Sequence, residues 1–346
     1  MKLRQALLVA HRYAGVVATP VVLAVGLSGA LLAVAPDLLE RSGPHGAGGV
    51  ALAESTLVAR VRAGAPGDPV AGIEFGNAGD APQVFTMRSG VRWFVDPASG
   101  RLLARRSGET ALEATIATAR QLHVRLAAGN AGEWLVDLST IVVALLAATG
   151  VVLWWRKRAW RMRNDAAGWR FHWELHQVVG AWVSLLVLAL ALTGIWLAFE
   201  GTLGPAIGLE PRRDPALPHS IPPGEGVARR DDPDAWLAAA RAALPGEKPM
   251  QLQWPEGERS AVRVLLRPAR GLGRSAVFVD RWSARVLRTD AFAGAAGAFR
   301  AHVLVRGLHT GDAGGAWLRT LVALGALAMS TLAVTGVWVW RARPRG

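Results

Sequence analysis

From Val178 to Phe199 the chain runs for 22 residues without a charge, enough to cross a hydrocarbon core of roughly 30 Å as a helix. His172 and His176 stand just ahead of this run, which sets His176 at the mouth of a membrane helix. The pattern has occurred once before. His11 is followed four residues on by Gly15 and eighteen on by Gly29, as His176 is by Gly180 and Gly194. Two copies of one spacing, far apart in the chain, read as an internal repeat.

With 51% apolar residues and 15 Trp among 346, the composition fits a membrane protein with soluble parts better than one globular domain. The net charge of +13 is concentrated in three segments: Lys2 to Arg12, Arg156 to His176, and Arg341 to Arg345. All three flank apolar runs on one side, as cytoplasmic ends do, so nucleic acid is not an expected partner. There is no cysteine, which excludes disulfides, thiolate metal sites, iron–sulfur clusters and covalent c-type haem attachment. The N-terminus resembles a signal peptide with Ala33-Val34-Ala35 at its end, but its apolar run is long and matches the internal helix, so an uncleaved anchor is expected.

The expected fold class is a membrane α+β chain with four transmembrane helices in two parallel repeats, each with an extramembrane α+β domain. Residues 1–36 hold transmembrane helix 1, closed by Pro36. Residues 37–108 form a first outside domain, with an amphipathic helix over 53–63 and strands near 70–75, 83–88, 92–95 and 102–105. Residues 109–158 hold an interfacial helix carrying His123, a break at Gly129-Asn130-Ala131-Gly132, and transmembrane helix 2, which stops in Arg156-Lys157-Arg158. A cytoplasmic loop and transmembrane helix 3 fill 159–200. A Pro- and Gly-rich linker and a second outside domain fill 201–298, with a helix over 234–243 and strands near 249–253, 261–267, 275–280 and 285–287. Residues 299–346 hold an interfacial helix with His302 and His309, transmembrane helix 4 and a basic C-terminus.

An even number of crossings separates equivalent positions, so the halves insert in the same direction about an axis along the membrane normal. His11 and His176 then share the cytoplasmic face and His123 and His309 the outer one, the latter two each 27 residues before a Thr-Gly pair, Thr149-Gly150 and Thr335-Gly336. A histidine facing a bundle interior at membrane depth points to function. Two imidazoles from facing helices suit the axial positions of a haem iron, and Gly15 and Gly180, one turn further in, leave room for a flat macrocycle. Two haem b groups are therefore expected, with iron held by His11, His176, His123 and His309. Structural hydrogen bonding and a non-haem metal are the competing explanations. His302 could replace His309, and His172 is a weaker ligand candidate because it lies one turn from His176. Gly29, Gly150, Gly194 and Gly336 read as close-packing sites between helices, and the terminal Trp residues as an aromatic belt.

At these residues the sequence resembles the PepSY-associated transmembrane family. The resemblance rests on His11-Arg12-Tyr13-Ala14-Gly15 with Leu27-Ser28-Gly29, on Leu122-His123, on Leu175-His176 through Gly180 with Leu192-Thr193-Gly194, on Leu308-His309-Thr310-Gly311, and on Val95-Asp96-Pro97-Ala98-Ser99-Gly100. It covers about residues 7 to 343 and implies two periplasmic PepSY-like domains and a bacterial inner membrane, with both termini cytoplasmic. It also implies a link to iron uptake, since some members are similar to haem-containing ferric-siderophore reductases. Two departures stand out: Asp280-Arg281-Trp282-Ser283-Ala284 lacks the Pro and Gly of the family turn, and Tyr13 stands where Trp is common.

The function expected is a di-haem oxidoreductase that passes electrons across the lipid bilayer to a periplasmic ferric chelate such as a ferric siderophore. No Gly-rich fingerprint follows a strand and only six residues follow Trp340, so the donor is expected to be a quinol or a separate cytoplasmic reductase. The alternative is a non-enzymatic sensor or assembly factor that binds a periplasmic peptide or protein. A midplane transporter is disfavoured, because Asp137 and Arg319 both lie near helix ends.

Overall fold

The computed structural model describes residues 2–76, 80–155, 160–163, 165–209, 216–224, 231–268 and 271–342. The expected stop at Arg156-Lys157-Arg158, the basic ends Arg343 and Arg345, and parts of the 200–232 linker lie outside the described residues. Helices α1 (Lys2–Ser42), α2 (Glu54–Gly64), α3 (Ala111–Arg125), α4 (Gly129–Trp154), α5 (Gly168–Ala198), α6 (Glu200–Leu203), α7 (Pro233–Ala243), α8 (Gly297–Thr310) and α9 (Gly315–Arg341) alternate with two sets of four strands. The chain divides into two compact units, one of residues 1–41, 111–210 and 304–346, the other of 42–110 and 211–303.

The first unit is helical. Four of its helices, spanning Leu3–Ser42, Gly129–Trp154, Gly168–Ala198 and Asp312–Arg341, are long and apolar enough to cross a membrane. Their outward residues include Val17, Leu145 and Leu185, exposed apolar side chains of the kind a bilayer covers. Small residues let the helices approach: Ala30 and Ala33 of α1 pack against Val322, Ala323 and Ala326 of α9. Pro36 does not close α1, which continues to Ser42. Beside the proline, Asp37 holds a two-pronged ion pair, Arg319 Nε to Oδ2 at 2.9 Å and Nη2 to Oδ1 at 2.6 Å. The break before α4 falls at Leu126 and Ala127, both at positive φ, so Gly129 begins the helix where a Gly-rich interruption was expected. Likewise α5 begins at Gly168, which puts His176 two turns inside the helix, not at its mouth.

The second unit is α+β. Strands β1 (Val70–Glu74), β2 (Gln83–Met87), β3 (Arg92–Val95) and β4 (Leu102–Arg106) form a meander, as do β5 (Lys248–Gln253), β6 (Val262–Arg267), β7 (Ser275–Val279) and β8 (Val286–Asp290). The two meanders do not stand as separate domains. β1 and β5 pair antiparallel, with Ile73 opposite Leu252, to give one eight-stranded sheet in the order β4-β3-β2-β1-β5-β6-β7-β8. One face carries α2 and α7 over a single core in which Leu57, Val61, Trp236 and Leu237 meet Ile73, Phe85, Leu252, Val264 and Val277. Asp234 of α7 caps α2 across this join, accepting from the amides of Glu54 (2.6 Å) and Ser55 (3.2 Å).

The turn between β7 and β8 lacks Pro and Gly yet keeps the form of its counterpart. Asp96 anchors Ala98 N and the Ser99 hydroxyl, and Asp280 anchors Trp282 N and the Ser283 hydroxyl. Ala284 takes φ +54° where Gly100 has +68°, so an alanine occupies a left-handed position that glycine fills without strain.

Candidate functional site

The four histidines come together in two pairs within the helical unit. His11 of α1 and His176 of α5 have ring centres 6.3 Å apart with planes at 87°. His123 of α3 and His309 of α8 have ring centres 6.3 Å apart with planes at 53°. Along α1, His11 and Ser28 are seventeen residues apart, as His176 and Thr193 are along α5, so the two pairs differ in depth by about 25 Å at 1.5 Å per residue.

Every ring is held through its Nδ1. His11 Nδ1 lies 2.9 Å from the Thr149 hydroxyl, His176 Nδ1 3.0 Å from that of Thr335, and His309 Nδ1 2.9 Å from that of Thr193. His123 Nδ1 lies 2.9 Å from the Val25 carbonyl and 3.4 Å from the Ser28 hydroxyl. Each hydroxyl already donates its proton to a carbonyl one turn back, Leu145, Thr331, Ala189 and Ala24 respectively. It can therefore only accept from the imidazole, which fixes Nδ1–H and leaves Nε2 as a bare lone pair. That is the tautomer of a metal-binding histidine whose other nitrogen is tied down.

The residue after each hydroxyl is glycine, and the histidine ring fills the space its side chain would take. A Cβ on Gly29 would stand 2.8 Å from His123 Cε1; on Gly150, 3.5 Å from His11 Cε1; on Gly194, 3.4 Å from His309 Cε1; on Gly336, 3.4 Å from His176 Cε1. These glycines pack against imidazoles more than against helices, which corrects the expectation above. The signal was in the sequence as four Ser/Thr-Gly dipeptides in register with four histidines. Which dipeptide serves which ring depends on how the helices are rotated.

Between His11 and His176 lies a cavity of about 490 Å³, within the range of cofactor pockets. Gly15 and Gly180 line it, as do Leu146, Leu332, Trp169 and Trp173, with Arg4 and Arg12 also on its lining. A Cβ on Gly15 or Gly180 would meet protein only at 3.9 and 3.7 Å, so what these glycines keep open is the cavity. His172 is not brought to the pair: its ring stacks on Trp338, centres 4.8 Å apart at 11°. His302 lies against Phe299 at 6.5 Å.

Several observations bear on a macrocyclic iron. Two imidazoles on opposite sides of one metal, with bonds of about 2.0 Å and ring nitrogens about 1.2 Å from the ring centres, hold those centres about 6.4 Å apart. Both pairs have this spacing. Among the described residues no group of three or more His, Cys, Asp or Glu could hold a metal ion, whereas a protein zinc site needs three or four such ligands. A haem supplies its own four equatorial nitrogens and asks the chain for two. No curated protein matches the sequence. The family model for the PepSY-associated TM region matches residues 8–343, nearly the whole of this multi-pass membrane protein, and the chain belongs to that family.

Proposed function

We propose that the chain is a di-haem b electron-transfer protein of the bacterial inner membrane that reduces a periplasmic ferric chelate. The observation that carries the reading is the spacing of the two histidine pairs with all four Nδ1 atoms engaged. His11 and His176 would hold one haem and His123 and His309 the other, with Gly15 and Gly180 clearing the first ring's edge and Arg4 and Arg12 matching carboxylates at its rim. Bound in this way, haem supplies one-electron chemistry at an iron whose potential is set by its axial ligands and their hydrogen bonds. The chain's part is to hold each imidazole neutral and oriented, and to exclude water with apolar walls. The basic segments suit a cytoplasmic placement of the His11/His176 pair, with a quinol or separate reductase donating there and a ferric siderophore accepting at the other side.

Purified protein from haem-replete cells should show a Soret band with two haems per chain. Alanine at His11 or His176 should remove about half. A colourless preparation would refute the proposal and leave a membrane sensor or assembly factor that binds a peptide.

A further inference from the structure

A second cavity adjoins the one between His11 and His176. It has a volume of about 400 Å³, within the range of small-molecule pockets, and lies between the C-terminal end of α4 and the middle of α5. Trp154, Ala181 and Ser184 line both cavities, so the two share a wall. Val151, also on the lining, follows Gly150, against which the His11 ring packs.

The walls are aromatic and steeply angled to one another. The Trp154 and Trp160 rings have centres 4.5 Å apart at 80°, and those of Trp154 and Trp155 are 6.5 Å apart at 75°, edge-to-face contacts that hold each ring in place. Trp160 is fixed again through its backbone, whose carbonyl accepts from Trp182 Nε1 at 3.3 Å. Indoles set in this way offer both faces and edges to a flat apolar ring. Leu185, Trp155 and Trp160 of the same lining are 79%, 59% and 48% exposed, so the cavity opens on the outward side of the helices, which a bilayer covers. A ligand that enters there comes from the membrane and not from water.

Among the described residues Ser184 brings the one hydroxyl to this lining. Its Oγ donates to the Gly180 carbonyl one turn back, so toward a ligand it can only accept. That selects a ligand with an O–H to give. A lipid acyl chain has none, and the carbonyl of a quinone is itself an acceptor that the committed hydroxyl cannot serve. The O–H of a hydroquinone matches it.

We infer that this cavity seats the head group of a membrane hydroquinone, with one O–H donated to Ser184 and the ring held against Trp154 and Trp160. The inference deepens the reductase reading by placing an electron donor beside the His11/His176 pair. It rests on that reading only for the use made of the ligand; recognition of the head group stands on the indoles and the hydroxyl.

The test is equilibrium binding of a radiolabelled, short-tailed benzohydroquinone to the full-length protein in detergent, without oxygen and with excess reductant, so that binding is measured without electron transfer. Two controls share its shape: the dimethyl ether, which lacks both O–H groups, and the oxidised quinone, measured without reductant. Saturable binding of the hydroquinone is expected, with each control about tenfold weaker. Ser184→Ala should lower the affinity about five- to tenfold by removing the acceptor, and Trp160→Ala about as much by removing an aromatic wall, with the circular dichroism and the absorption spectrum of each variant unchanged. Equal binding of either control, no saturable binding, or wild-type affinity in both variants would overturn the inference. So would loss of binding when phospholipid is added back at a constant ratio of hydroquinone to detergent, which would make the cavity a seat for an acyl chain. Hydroquinone binding by a colourless protein would keep this site and remove the reductase reading, whereas a normal haem spectrum without hydroquinone binding would do the reverse and leave a separate reductase as the donor.

Discussion

His11 depends on a single hydroxyl. His123 has the Val25 carbonyl at 2.9 Å as well as the Ser28 hydroxyl at 3.4 Å. The only acceptor found for His11 Nδ1 among the described residues is Thr149, at 2.9 Å. Thr149→Val keeps the shape of the side chain and removes that acceptor. A buried N–H left without a partner costs about 1–3 kcal/mol, and loss of a histidine's outer hydrogen bond commonly weakens metal binding about 10- to 100-fold. Part of that energy is redox-state dependent, since an accepted Nδ1–H makes the imidazole a stronger donor and favours ferric iron. On the proposed di-haem reading, if about 1 kcal/mol of the loss is differential, the midpoint of one haem would rise by roughly 40 mV, given 59 mV per tenfold for one electron. Spectroelectrochemical titration should therefore show one of two midpoints moving up and the other staying in place. Ser28→Ala, which leaves the Val25 carbonyl to His123, should move the other midpoint less. Equal effects of the two variants, or movement of both midpoints together, would refute the argument that Thr149 alone holds this ring.

Other outcomes follow from local geometry. Gly29→Ala would place a methyl 2.8 Å from His123 Cε1 and should displace that ring, halving the haem content while the secondary structure by circular dichroism is retained. Ala284→Gly relieves the left-handed φ of +54° and should raise the denaturant midpoint of the sheet unit, by up to about 1 kcal/mol. Glu54 is buried, and that burial raises its carboxyl above the usual range, although Gln83 Nε2 donates to Oε1 at 2.9 Å. A carboxyl raised in the folded state contributes its stability below the unfolded value and loses it as pH rises through the folded one. Unfolding followed across that range should show wild-type stability falling with pH where Glu54→Gln stays flat.

Much of this was legible in the chain. A charge-free run of 22 residues has one stable solution in a bilayer, and apolar patterning placed seven of the eight strands within a residue of their observed bounds, the eighth running three residues past its expected end. The recurrence of His-x₃-Gly singled out His11 and His176, and spacing to a Thr-Gly pair singled out His123 and His309. Hydropathy and turn chemistry are local quantities, so local sequence reports them.

The tertiary structure decided the rest. The join of β1 to β5 links strands nearly 180 residues apart and leaves no local mark, so two expected domains became one sheet. Helix α1 passes Pro36 and runs on to Ser42, and just beyond the proline Asp37 meets a guanidinium of a distant helix, a contact that no local pattern reports. The assignment of each Ser/Thr-Gly to its histidine follows from the rotation of one helix against another, which hydrophobic spacing constrains only to within a face. Side-chain pairing across helices is settled by packing, and packing is a property of the assembled chain.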